Sequence, residues 1–555
     1  MSDESLSSSQ EPAEATGSGA VGVRPEHAAP VALSEMAALV GVPVEPGWSE
    51  IKVHGVSLDS RAVLPGDVYL ALPGAKTHGA RFVPAALAAG AVAVVTDAEG
   101  AGLVNETLLN ETQVKDAPTK APVLIVAQPR QAAGMLSRRI YPHEDLRAFA
   151  VTGTNGKTTV SYLVRALLQA LGRSSGLIGT VETVIGSRAV PAVLTTPEAP
   201  AVHALFSAMA EAGEDSVVME VSSHALTFHR VDGVEFDVAG FTNLSQDHLD
   251  LHGTMEEYLQ TKALLFTPEH ARRAVVTVDD AWGRRLLAMT EVPAVGLGTV
   301  PETPAGTDAD VQWRVLEATP AGLGWRIRLQ GPAGELVFRT DLPGGFNVSN
   351  AALAVTMIAE SGVGLSDLQA ALDRDPLMIE VPGRMQSISV EPRAVVDFAH
   401  NPDGLRQALD AVRPIRGGGG KLLVVFGATG ERDVTKRPIM GAVAARGADV
   451  VIVTDDDPHD EDPEQIRVQV AAGAQQAAAA LPHEVRVETV APRAAAIDRA
   501  VELASAEDTI LVAGRGHESW QEVSGVNVAL DDRVELRRAL LARGFTVLGT
   551  SGIES

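Results

Sequence analysis

The chain has 555 residues, 45% of them hydrophobic, and carries 45 Lys and Arg against 71 Asp and Glu for a formal net charge of -26. That length exceeds what one hydrophobic core supports, so about two to four domains are expected. The acidity argues against a nucleic-acid partner, and the absence of cysteine excludes disulfides, thiolate nucleophiles and Cys-ligated metals.

Residues 1–30 are rich in Ser, Glu, Ala, Pro and Gly without periodicity, which predicts a disordered tail. The first dozen residues are acidic and lack an apolar core, so no signal peptide is expected. Apolar runs such as 85–95 fall short of the roughly 20 residues that span a bilayer, and a cytoplasmic enzyme is expected. Residues 31–146 alternate short strand-like and Ala-rich helical runs. Strands are predicted at 67–72 and 91–96 and a helix at 82–89, making a small α/β domain. The polar, Gly-bearing stretch 100–122 reads as an exposed insertion.

A second domain, 147–378, opens on Phe149-Ala-Val-Thr-Gly153-Thr154-Asn155-Gly156-Lys157-Thr158-Thr159. An apolar run, a Gly-rich loop and a helical segment with Val160, Leu163, Val164, Leu167, Leu168 and Leu171 on one face form a phosphate cradle. Lys157 would reach terminal phosphates and the Thr158 hydroxyl would sit on Mg²⁺. The general pattern wants Gly five residues before the Gly-Lys pair, where this chain has Val151, so the loop is a shorter form. Further buried strands are predicted at 216–220 and 237–242. They end in Glu220-Val-Ser222-Ser-His and Asn243-Leu-Ser-Gln-Asp247-His248. Alone, Glu220 reads as a helix cap and His248 as a core histidine. Together beside a phosphate loop they suit Mg²⁺ or its waters.

The third domain, 379–555, repeats strand and polar loop. Residues 421–426 lead into Gly427-Ala-Thr-Gly-Glu-Arg432-Asp, 449–454 into Asp455-Asp456-Asp457-Pro-His459, and 508–513 into Gly514-Arg-Gly-His-Glu518. Alternating βα units predict a Rossmann-like parallel sheet with ligands beyond the carboxyl ends of its strands, where all three loops fall.

Four segments occur in order: Gly153-Thr-Asn-Gly-Lys-Thr-Thr159, Glu220-Val-Ser-Ser-His-Ala-Leu226, Thr242-Asn-Leu-Ser-Gln-Asp-His-Leu-Asp250 and Asp397-Phe-Ala-His-Asn-Pro402. The chain from residue 31 onward resembles the Mur ligase family, closest to its type that adds the third residue of the peptidoglycan stem peptide (the MurE type, UDP-N-acetylmuramyl-tripeptide synthetases). The resemblance implies three α/β domains: a UDP-binding domain at 31–146, a central ATP-binding ligase domain at 147–378 and a C-terminal amino-acid-binding domain at 379–555. It implies that ATP phosphorylates the free D-glutamyl carboxylate of UDP-N-acetylmuramoyl-L-alanyl-D-glutamate, and that an amine displaces phosphate from the acyl phosphate. By the resemblance, the ATP site comprises Gly153, Thr154, Asn155, Gly156, Lys157, Thr158, Thr159, Asn347, Arg384 and Asp397. Thr158, Glu220, His248 and Lys262 as a carbamate serve Mg²⁺, expected as two ions. Leu58, Ser60, Thr195, Thr196, Ser222 and Arg230 contact the UDP-muramoyl dipeptide, as does the Lys76-Thr-His-Gly79 loop. Where the family often has Gln, two residues before Arg230, this chain has Phe228. Arg432 would hold the α-carboxylate of the incoming amino acid, with Gly514 and Glu518 at its amine end. A cytoplasmic monomer with small-molecule substrates, and neither nucleic-acid nor membrane partners, is implied.

Members that use meso-diaminopimelate carry Asp-Asn-Pro-Arg where this chain has Asp456-Asp457-Pro458-His459. Loss of the guanidinium and gain of a carboxylate disfavour a distal carboxylate and favour a distal ammonium. Charge-assisted hydrogen bonds are worth roughly 1.5–3 kcal/mol each. L-Lysine is therefore expected, L-ornithine next, with diaminopimelate the alternative. A ligase resembling folylpolyglutamate synthetase and a non-catalytic nucleotide-binding module are the remaining readings.

Overall fold

The computed structural model describes residues 22–74, 77–111, 121–300, 311–413, 419–431 and 433–549. They form three α/β units in chain order, each around its own sheet.

The first holds four parallel strands in the order Gly55–Ser57, Asp67–Leu70, Ala93–Thr96, Val123–Ile125. Two expectations are corrected here. Residues 22–30, expected within the disordered tail, are anchored: Arg24 clamps the fully buried Asp67 with contacts of 2.6 and 2.7 Å. The backbone N–H groups of Glu26 and His27 donate to Glu211 at 2.7 and 2.8 Å. A buried strand carboxylate needs a counter-charge, and the incoming chain supplies it. Residues 1–21 lie outside the described residues. The predicted insertion at 100–122 begins inside a helix, Ala98–Glu111. Its Gly100 serves close packing rather than a turn, since a Cβ there would stand 2.0 Å from Thr96 Oγ1 and 2.5 Å from His78 Cε1. Residues 112–120 are not described.

The central unit is built on strand Arg147–Thr152. It lies between Ser216–Glu220 and Val238–Phe241, parallel to both, in an eleven-stranded sheet whose two ends turn antiparallel. Such a strand is covered on both faces and reads apolar throughout. Phe149 and Val151 point toward helices Lys157–Ala170 and Phe346–Glu360, while Ala148 and Ala150 face a second core with Leu205, Tyr258 and Phe266. Register pairs Glu220 with Val151 and Phe241 with Thr152, so the three strands end level at the mouth of the loop after Thr152.

The third unit has six strands in the order Gln386–Val390, Arg393–Asp397, Thr509–Ala513, Leu422–Phe426, Val450–Val453, Arg486–Thr489, parallel except for the first. Asp397 pairs with Ala513, and Phe426 with Val453. The chemically rich loops therefore share one edge, as predicted for the carboxyl ends of parallel strands.

Candidate active site between the central and third domains

The phosphate loop is fixed from outside itself. Gly153 has φ +143°, and a Cβ there would stand 1.9 Å from Thr242 Oγ1 and 3.0 Å from Asn243 O. That approach lets Thr154 N donate to Asn243 O (2.9 Å), Asn155 N to Asn243 Oδ1 (3.0 Å), and Thr242 Oγ1 to Asn155 O (2.7 Å). Lys157 Nζ folds onto its own loop, donating to Gly153 O and Thr154 O at 3.0 and 2.9 Å. Burial lowers its pKa, against the pull of Glu220 and Asp247.

Glu220 is fully buried and joins two strand ends. Its carboxylate accepts from Thr158 Oγ1 at 3.0 Å, from Thr180 N at 2.9 Å and from Thr180 Oγ1 at 2.8 Å. Lys262, also buried, donates from Nζ to Gly153 O at 3.0 Å and stands 4.6 Å from the centre of the Tyr258 ring. Burial, reinforced by the Lys157 charge, pushes it well below the usual lysine range. His248 begins helix Leu249–His252 at φ +53°, with its ring edge-on to His224 at 4.9 Å. Burial lowers it to about 3, so its imidazole is neutral at pH 7. Thr158, Glu220 and Lys262 thus all border one loop.

The third domain closes this cluster. Asn401 Nδ2 reaches Asn155 Oδ1 at 3.0 Å and Asp247 Oδ2 at 3.4 Å, and His400 Nε2 lies 3.3 Å from Asp247 Oδ2. Burial would raise Asp247, but its hydrogen bond to His400 and the nearby His248 and Lys436 hold it well below the usual range. Arg384 Nη2 approaches Thr158 Oγ1 at 3.4 Å, its guanidinium lying 4.2 Å from the Phe398 ring centre. Asp397 accepts from Met385 N (2.7 Å) and Ala399 N (2.9 Å), so it shapes the turns that carry Arg384 and His400. A cleft of about 740 Å³ runs from Asn155 and Gly156 past Phe346, Asn350 and Trp325 to Arg406. Asn347 lies behind its wall, with its amide donating to Pro343 O (2.7 Å) and accepting from Asn350 (2.8 Å).

On the opposite side of Glu220, Thr196 Oγ1 donates to Glu220 O at 2.8 Å and accepts from Ser222 N at 3.1 Å. Thr195 Oγ1 lies 3.1 Å from Thr180 Oγ1, and Arg230 Nη1 donates to Thr196 O at 3.1 Å. Thr195, Thr196, Ser222 and Arg230 are therefore one group. Leu58 and Ser60 sit apart, after strand Gly55–Ser57 of the first domain. Ala75 and Lys76 lie outside the described residues.

At the third-domain loops, Arg515 is fully buried among carboxylates. Its Nη1 bonds Asp457 and lies 3.6 Å from Asp456, and its Nη2 lies 3.5 Å from Glu518. Nearby, Arg493 makes a buried bidentate pair with Asp532 at 2.7 Å through both contacts. Burial raises Glu518 to about 8, aided by Asp456 and Asp457 and opposed by Arg515. His459 Nδ1 pairs with Glu522 Oε2 at 3.0 Å. A Cβ on Gly514 would stand 2.7 Å from Asp456 Oδ2, which places that loop against the carboxylate. Arg432 lies outside the described residues.

Thr180, Asp247 and Arg515 were not assigned roles from sequence. Asp247 and Arg515 stand inside quoted motifs, next to the residues that drew notice. Thr180 carried only a weak signal, a hydroxyl after the glycine that ends an apolar run.

Three family models match the chain: the catalytic domain of the Mur ligase family over residues 52–141, the Mur ligase middle domain over 151–358, and the Mur ligase glutamate ligase domain over 383–516. A UDP-N-acetylmuramyl-tripeptide synthetase of Leifsonia xyli is 43% identical over 537 residues, covering 96% of this chain and 100% of the relative. A UDP-N-acetylmuramoyl-L-alanyl-D-glutamate–2,6-diaminopimelate ligase of Streptomyces avermitilis is 43% identical over 524 residues, covering 93% and 98%. A solved structure of a ligase of that same 2,6-diaminopimelate type superposes with a TM-score of 0.62 at 31% identity, covering 93% of this chain and all of its own.

Proposed function

Because the chain belongs to the Mur ligase family, we propose that it is the ATP-dependent ligase that adds a diamino acid to UDP-N-acetylmuramoyl-L-alanyl-D-glutamate in peptidoglycan precursor synthesis. The observation that carries this reading is the convergence on one phosphate loop. Asn401 of the third domain meets Asn155, and Glu220 ties Thr158 to Thr180 beside the Thr195–Thr196 group.

ATP would lie along the cleft, with its terminal phosphates on the loop N–H groups and Lys157 turned from its carbonyls toward them. Phosphoryl transfer needs positioning and charge neutralisation more than a side-chain nucleophile. Thr195, Thr196, Ser222 and Arg230 would present the D-glutamyl carboxylate to the γ-phosphate. Arg384 would follow the transferring group from the far side of Thr158.

The residues fit Mg²⁺. Thr158 and Glu220 offer hard oxygen donors, and His248 a neutral nitrogen. Among the described residues no three His, Asp or Glu side chains form a complete metal site by themselves, which suits an ion that takes its other ligands from phosphates and water. When bound, two Mg²⁺ ions would neutralise the phosphates. Lys262 fits a carbamate. An amine adds CO₂ only when neutral, forming an N–C bond and releasing a proton, and burial beside Lys157 favours the neutral amine. The product would be an anion at the loop.

For the amine substrate we propose L-lysine, then L-ornithine. Three acidic side chains, Asp456, Asp457 and Glu518, surround the Arg515 guanidinium, the neighbouring Arg493 is taken up by Asp532, and His459 is held by Glu522. A distal ammonium gains from Asp456 and Asp457, and from Glu518 once it ionises near pH 8, while a distal carboxylate would face these acids and find Arg515 already paired with them. meso-Diaminopimelate is the second reading, favoured by the name of the S. avermitilis relative. Nucleotide-linked small-molecule substrates and ATP support a cytoplasmic enzyme. Among the described residues no helix is long and apolar enough to cross a membrane.

The test is phosphate release from ATP with the UDP-muramoyl dipeptide and lysine, ornithine or diaminopimelate offered singly. Release with lysine or ornithine is expected. Release with none of them removes the ligase reading, and release with diaminopimelate alone removes the choice of amine.

A further inference from the structure

Helix Pro129–Ile140 of the first domain packs its Ala132, Ala133 and Leu136 into one core with Ala199 and Ala204 of the central-domain helix Ala199–Glu211. That packing brings Arg130, in the first turn, to the segment after helix Ser223–Thr227. Its Cζ stands 5.2 Å from the centre of the Phe228 ring, and Arg230 Cζ stands 5.8 Å from the same ring. Two guanidiniums on one ring repel each other. Glu198 offsets this in part, 2.7 Å from Arg230 Nη2 and 3.7 Å from Arg130 Nη1. One carboxylate against two guanidiniums leaves a positive charge. Arg230 also keeps a buried Nε with no hydrogen-bond partner. This cluster adjoins Thr196, on the acceptor side of Glu220.

We infer that Arg130 is a substrate-binding residue. With Arg230, across the Phe228 ring, it holds an oxyanion of the UDP-muramoyl dipeptide, either a carboxylate of the dipeptide or a phosphate of the diphosphate. The inference rests on the substrate reading above. It gives Phe228 a purpose. Where an amide would offer one polar contact, the ring offers a platform on which a cation from a different domain is stabilised. The guanidinium fork suits carboxylate and phosphate alike.

The test is calorimetric binding to the full chain of two ligands, the UDP-muramoyl dipeptide and UDP-N-acetylglucosamine, which has the diphosphate and no carboxylate. Arg130→Gln is expected to weaken dipeptide binding about 10- to 100-fold, as for a lost charge-assisted hydrogen bond. Arg130→Lys should recover part of that, with melting temperatures unchanged. Loss confined to the dipeptide assigns the carboxylate, and equal loss for both ligands assigns the phosphate. Phe228→Leu keeps bulk and removes the platform, so its loss should be non-additive with that of Arg130→Gln. Dipeptide binding by Arg130→Gln within twofold of wild type, or strictly additive losses, overturns the inference. A wild-type protein that neither binds the dipeptide nor releases phosphate overturns the substrate reading beneath it, a result distinct from a normal wild type with an indifferent Arg130→Gln.

Discussion

Lys262 and Glu518 are both displaced from ordinary ionisation by burial, in opposite directions of charge. Lys262→Ala should lower turnover by roughly a hundredfold or more, the scale of losing one preorganised electrostatic group. A short added carboxylic acid should restore part of it in a turnover assay, since it returns an anion to the same place. Absence of rescue would count against the carbamate. Glu518 titrates near 8 because its site is poor in water. Below that pH it is a neutral acid, and above it a carboxylate that attracts an ammonium. KM for the diamino acid should therefore fall as pH rises through about 8, and Glu518→Gln should flatten that step in a pH series of initial rates.

Among the elements, the loop after strand Arg147–Thr152 shows how backbone and function are bound together. Gly153→Ala puts a methyl into Thr242 Oγ1 at a φ that L-residues avoid, a strain of about 1–3 kcal/mol. It should lower both the melting temperature and ATP affinity, measured by calorimetry with and without nucleotide. A variant that melts and binds like wild type would show that the loop is not set by that contact. The loop between strand Val450–Val453 and helix Pro463–Ala479 is where the proposed choice of amine would be changed. His459→Arg should move the lysine-to-diaminopimelate ratio of kcat/KM toward diaminopimelate by tenfold or more, about 1.4 kcal/mol. An unchanged ratio would place selectivity elsewhere. These elements were legible because each couples a buried strand to a loop of unusual chemistry. Strand ends at Thr152, Glu220, Phe426 and Ala513 follow from unbroken apolar runs. The helix Ala98–Glu111 was not legible, because Gly100 and Gly102 read as turn residues and only three-dimensional contact reveals that one of them is small to admit Thr96 and His78. Arg515 was hidden for a similar reason: long-range charge pairing between residues 58 positions apart leaves no periodic trace.

In the whole molecule, residues of the third domain contact the phosphate loop of the central one, and the proposed site draws on both. Asn401→Ala removes the contacts to Asn155 and Asp247. Asn401 Oδ1 also caps helix Pro402–Val412 by accepting from Gly404 N at 2.8 Å, so the variant should melt somewhat lower without ligand, by about 1 kcal/mol of stability. ATP with Mg²⁺ should raise the melting temperature of the wild type, and this variant should lose most of that increment measured from its own unliganded value. An undiminished increment would mean that nucleotide binds the central domain alone. Glu220 sets a further condition. One carboxylate holds both Thr158, at the phosphate loop, and Thr180, beside the Thr195–Thr196 group. Any ligand that redirects Thr158 must alter what Thr180 feels. Thermodynamic reciprocity then requires that the factor by which ATP changes affinity for the muramoyl dipeptide equals the factor by which the dipeptide changes affinity for ATP. An inhibitor designed for either half would have a potency set by the occupancy of the other.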